Sequence, residues 1–77
     1  MRDFSELRAL SGKPVELRFV DGHVVHAKIV QVDTDEPSEV IYDVVEVIER
    51  GPQRLANVGP GTVASARSVE LVDWRAL

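Results

Sequence analysis

The side chains best suited to chemistry lie scattered along the chain, and their spacing argues against most of the chemistry they suggest. His23 and His26 are three positions apart. On an extended strand that odd interval sends the two rings to opposite faces, so they cannot grip one ion together. A zinc site gathers three or four ligands, and nothing else in the chain stands at a matching interval, so no metal or other cofactor is expected. Asp33, Asp35 and Glu36 are the oxygen donors that a hard cation seeks. A calcium loop, however, continues with a further donor and a glycine, where this chain has Pro37 and Ser38. The stretch reads as an acidic surface loop. Ser65 and Ser68 flank Arg67, but a nucleophilic hydroxyl needs a base beside it that is held by a third group, and no motif brings either histidine there. No catalytic residue and no small-molecule substrate are expected.

The remaining candidates are basic. Arg2, Arg8, Lys13, Arg18 and Lys28 lie near the first segments of the chain, with Arg67 further on, and together they are the candidate phosphate contacts. The charge balance opposes them: 9 Lys and Arg stand against 13 Asp and Glu, for a net charge of -4. That is the wrong sign for steering a phosphate backbone toward the protein. Platforms for single-stranded nucleic acid also need several exposed rings along a basic groove, and Phe4, Phe19, Tyr42 and Trp74 are the whole aromatic complement.

The elements that would position these residues are short. Residues 3–12 predict a helix, with Asp3 as cap, Glu6 completing a capping-box pattern, and Gly12 as the left-handed stop. Phe4, Leu7 and Leu10 give it one apolar stripe, which needs a core to lie on. From Pro14 the period becomes two: Val15, Leu17 and Phe19 alternate with Glu16 and Arg18, the pattern of a half-buried strand. Asp21-Gly22 then predicts a two-residue type I′ hairpin turn. Residues 23–33 follow as a long strand with Val25, Ala27 and Ile29 on one face and Val24, Lys28, Val30 and Val32 on the other, which implies a bend or a neighbouring subunit. A third long strand is expected over residues 40–50. Beyond it come a short strand over residues 53–58, a turn at Gly59-Pro60-Gly61, a return to the sheet over residues 62–64, a 3₁₀ turn over residues 65–68 and a last strand over residues 69–73. Trp74 would cover one end of the core.

Taken together, Gly22, Ala27, Ile29 and Asp33 stand at the intervals of the first Sm motif, and Val40 falls where that motif places an aliphatic residue. Over residues 10–47 the chain resembles the Sm-like small β-barrel superfamily. The resemblance implies the fold and a tendency to form rings. It does not carry uridine recognition, because Pro37, preceded by Glu36, occupies the position of the base-contacting asparagine. The arginine-glycine pair of the second motif is represented by Arg67-Ser68.

The expected architecture is therefore all-β: a single domain over residues 1–77, with a short N-terminal α-helix over residues 3–11 and a small, strongly bent five-stranded antiparallel barrel over residues 14–74. With 77 residues the core must be thin, and with no cysteine the stability that small domains often draw from disulfides must come from packing or association. No apolar run approaches the roughly 20 residues of a membrane-spanning helix. The opening residues lack the pattern of a secretory leader, so a cytoplasmic location is the default expectation. The leading functional expectation is a non-enzymatic Sm-like module, homo-oligomeric through its sheet edges, that acts as a scaffold or regulatory binding domain. The alternative is RNA or single-stranded DNA binding through the basic residues near the helix and first hairpin.

Overall fold

The computed structural model describes residues 3–35, 37–51 and 59–77. The chain begins with a 3₁₀ helix, Phe4–Leu10, followed by β1 (Pro14–Phe19), β2 (Val24–Asp33), β3 (Glu39–Glu49), β4 (Val63–Arg67), a second 3₁₀ helix (Ser68–Glu70) and β5 (Leu71–Ala76). The strands form one antiparallel sheet in the order β4-β3-β2-β1-β5. Among the described residues no ladder joins β4 to β5, so pairing does not close the sheet into the expected barrel.

The N-terminal helix is 3₁₀ rather than α, and its apolar pattern explains why. Phe4, Leu7 and Leu10 repeat every third residue, which is the period of a 3₁₀ helix, so all three line up on one edge. Leu7 is fully buried, with Phe4 and Leu10 packed beside it on the core. Asp3 caps the helix as expected, but its carboxylate accepts the Ser5 backbone N–H at 3.0 Å, while the Glu6 N–H donates to the Asp3 carbonyl. Gly12 takes the left-handed conformation, φ +77°, and its N–H donates to the Ile29 carbonyl, which seats the helix exit on β2.

Val15, Leu17 and Phe19 face the core as the period-two pattern requires, joined by Val25, Ala27 and Ile29 from β2 and Val40, Tyr42 and Val44 from β3. The turn between β1 and β2 is not type I′. Within it only Gly22 has positive φ, +93°, and among the described residues none other than glycine does. Phe19 accepts from Gly22 N–H and donates its own N–H to the His23 carbonyl, so three residues rather than two form the loop, with glycine supplying the left-handed bulge position.

The long strands bend through bulges. Register shifts fall between Val24 and Val25, between His26 and Ala27, and between Ile29 and Gln31. The residues left unopposed are Ile48, Val45 and Val30, and all three are exposed. A bulge inserts one residue and turns the following side chains over, which is why Val32 returns to the core although simple alternation sends it to the face of Val30. The C-terminal third departs most from expectation. Residues 65–67 belong to β4 instead of a turn, the 3₁₀ turn occupies Ser68–Glu70, and the last strand starts at Leu71 and runs to Ala76. The turn at Gly59-Pro60-Gly61 is present, closed by Thr62 N–H on the Gly59 carbonyl. The strand expected over residues 53–58 lies outside the described residues. Trp74 covers one end of the core, edge-on to Phe4 with centroids 6.0 Å apart. Among the described residues no helix is long and apolar enough to cross a membrane.

Candidate functional site

Two regions gather side chains in ways that packing alone does not require. The first is the outer face of β1, β2 and β5. Glu16, whose neighbours Val15 and Leu17 point inward, lies opposite His26 on β2 and Arg75 on β5. Its Oε2 accepts from Arg18 Nε at 2.9 Å and Arg75 Nε at 3.2 Å. Its Oε1 accepts from Arg75 Nη2 at 3.3 Å and lies 3.2 Å from His26 Nε2. These partners cover the carboxylate so fully that Glu16 is 4 % exposed. The His26 contact, then the Arg18 contact, hold its carboxyl far below the usual range, to about 2, against the burial that pushes it up, with Arg75 adding to the depression. A carboxylate held ionised with both oxygens engaged is no proton donor near neutral pH. What this arrangement does is tie three strands together on their polar face.

The second region is the edge of β5. Between the N-terminal helix, the second 3₁₀ helix and β5 lies an open recess of about 610 Å³, lined by Phe4, Val69, Leu71, Val72 and Trp74 with Asp3 and Ser68 as its polar members. Val69 and Val72 are 77 % and 61 % exposed. Val72 is the unopposed residue where the β1–β5 register shifts beside Phe19. The Asp3 carboxylate is already committed to the Ser5 N–H, which holds it below the ordinary range. The recess is apolar, and its lining holds no histidine. At the opposite edge of the sheet, β4 presents Val63, 61 % exposed.

Among the described residues, the basic residues singled out from the sequence lie on the N-terminal helix, just before β1, and on β1, β2 and β4. Arg2 lies outside the described residues. Arg8 is exposed on the N-terminal helix and Lys13 just before β1. Arg18 is bound to Glu16 and lies opposite Asp73 on β5. Lys28 lies opposite Asp43, and Arg67 opposite Glu39. Each of these basic strand residues is thus set beside or across from a carboxylate.

His26 joins the Glu16 cluster while His23 packs its ring on Phe19, so the two rings take opposite faces. In the expected acidic loop the Asp35 N–H donates to Asp33 Oδ1; Glu36 lies outside the described residues. Among the described residues no group of three or more His, Asp or Glu side chains is placed to hold a metal ion. Ser65 sits exposed on β4, and Ser68 begins the second 3₁₀ helix. Sequence reasoning missed the Glu16 cluster and the recess. The cluster had a signal, since Glu16, Arg18 and His26 all fall on the polar phase of their strands, but it becomes legible only with the correct register. No protein-family model, curated protein or solved structure matches this chain.

Proposed function

We infer that this chain is a non-enzymatic, Sm-like module that self-associates through the two edges of its sheet and serves as a scaffold or regulatory binding unit. The observation that carries this reading is the strand order, which among the described residues leaves β4 and β5 outermost, each carrying an exposed valine, Val63 and Val72. Unpaired strand edges present rows of backbone donors and acceptors that soluble proteins pair, cover or charge. The recess beside β5 adds apolar surface to that edge. A heterologous contact of β4 with β5 of another copy would satisfy both edges at once, and repeated with closure it gives a ring. The sequence intervals at Gly22, Ala27, Ile29 and Asp33 support the same family reading.

The test is light scattering across a wide concentration range. An assembly larger than one chain is expected, and a strict monomer at high concentration overturns the reading. Oligonucleotides included at low salt separate it from the alternative: salt-dependent retention by a monomer would support nucleic-acid binding instead.

A further inference from the structure

We propose that His23 is a proton-operated latch on the exit of β3. The residue is 1 % exposed, with its ring tilted against Phe19 at a centroid distance of 5.3 Å. Its Nδ1 accepts the backbone N–H of Gly51 at 3.3 Å, across 28 positions of sequence. A ring nitrogen that accepts a hydrogen bond bears no proton, so this contact requires the neutral ring with its proton on Nε2. In the imidazolium both nitrogens are donors, and the Gly51 N–H then faces a donor. Gly51 is itself buried, so its amide cannot simply exchange the ring for water.

The surroundings make the latch a junction. The Asp21 carboxylate accepts the His23 backbone N–H at 3.0 Å, and the same carboxylate would stand 2.8 Å from a Cβ placed on Gly51. Val20 donates its N–H to the Glu70 carbonyl, so the turn also holds the segment leading into β5. The charged groups on these elements are Asp21 on the turn, Glu49 and Arg50 at the end of β3, Glu70 of the second 3₁₀ helix, and Arg18 with its partner Glu16 on β1. Asp21 favours a charged ring; burial and the Gly51 contact favour a neutral one. A free histidine ring changes charge between about pH 5 and 8, which sets the window over which the latch is to be titrated. Proton uptake releases the Gly51 amide from the ring, while the hairpin stays anchored by its backbone bonds. This device does not depend on the self-association reading.

Nuclear magnetic resonance tests it directly, because His23 and His26 are the two histidines of the chain and His26→Gln assigns their ring signals. The Gly51 amide shift is expected to titrate with the His23 ring and not with His26, and its exchange protection to fall about tenfold from pH 8 to pH 5, the scale of one hydrogen bond. His23→Asn, which keeps an acceptor near the Nδ1 position and does not titrate, should abolish both changes. The proposal is overturned by a Gly51 resonance that stays flat through the His23 titration, by the same titration persisting in His23→Asn, or by a His23 ring that takes no proton down to pH 5. Should His23→Asn not fold, the wild-type titration decides alone.

Discussion

Glu16 on β1 and His26 on β2 face each other across the first hairpin, with the ring Nε2 3.2 Å from the carboxylate Oε1. That contact is the largest reason the Glu16 carboxyl falls from 4.5 to about 2. A carboxyl depressed in the folded state binds its proton less readily there than in the unfolded chain. Its contribution to stability is complete above the unfolded value and disappears as pH falls through the folded one. The expected outcome is an acid limb between about pH 4.5 and 2 in the urea midpoint. Glu16→Gln should lower the midpoint at pH 7 and flatten that limb. A limb of unchanged depth in Glu16→Gln would assign it to other carboxyls.

Gly51→Ala tests the packing of the turn against the exit of β3. Its Cβ would meet the Asp21 carboxyl carbon and both oxygens at 2.8 to 2.9 Å, and that carboxylate cannot swing away without dropping the His23 N–H. The expected cost is about 1–3 kcal/mol, the range of an overpacked site, read from denaturant unfolding. Asp21→Ala combined with Gly51→Ala removes the colliding atoms, so the double variant should lose less than the sum of the two single ones.

These two relationships also show how much of the molecule the sequence disclosed. The period-two run of Val15, Leu17 and Phe19 and the stripe of Phe4, Leu7 and Leu10 announced the core correctly, because apolar periodicity reflects burial directly. The ionic cluster stayed hidden behind one residue of turn length. A two-residue loop at Asp21-Gly22 sets Val20 opposite His23 and Arg18 opposite Val25, whereas the three-residue loop sets Glu16 opposite His26, and such a slip exchanges the faces. Bulges at Val30, Val45 and Ile48 were invisible for a related reason: alternation cannot announce where it will be interrupted. The recess beside β5 brings Phe4 to Val72 and Trp74 from the far end of the chain, a proximity that only the completed sheet creates.

Gly22 is where the turn chemistry can be measured. Its φ of +93° lies in a region that side chains oppose, and no atom stands within 4 Å of a Cβ built there, so a substitution meets conformational strain without a clash. Gly22→Ala should cost about 1–2 kcal/mol in thermal or urea unfolding. Gly22→Asn should cost less, since asparagine tolerates positive φ better than other residues, and Gly22→Val more, since β-branching resists it. Equal stability for all three would contradict the left-handed position.

The edge reading makes a prediction that distinguishes one assembly geometry from another. Val63→Lys places a charge on β4 and Val72→Lys places one on β5, and both positions are already exposed in the single chain, so each variant should keep the unfolding midpoint that the isolated chain shows. If β4 of one copy mates with β5 of the next, each variant alone should be monomeric, because every contact then contains one charged edge. Mixed in equal amounts, however, Val63→Lys still offers an intact β5 and Val72→Lys an intact β4, so the mixture should form dimers and stop there. Association of β4 with β4 predicts otherwise: Val72→Lys alone would assemble as well as the unaltered chain, and mixing would add nothing. Sedimentation velocity on the two variants and their mixture reads all three outcomes, and monomers throughout the mixture would remove the head-to-tail contact.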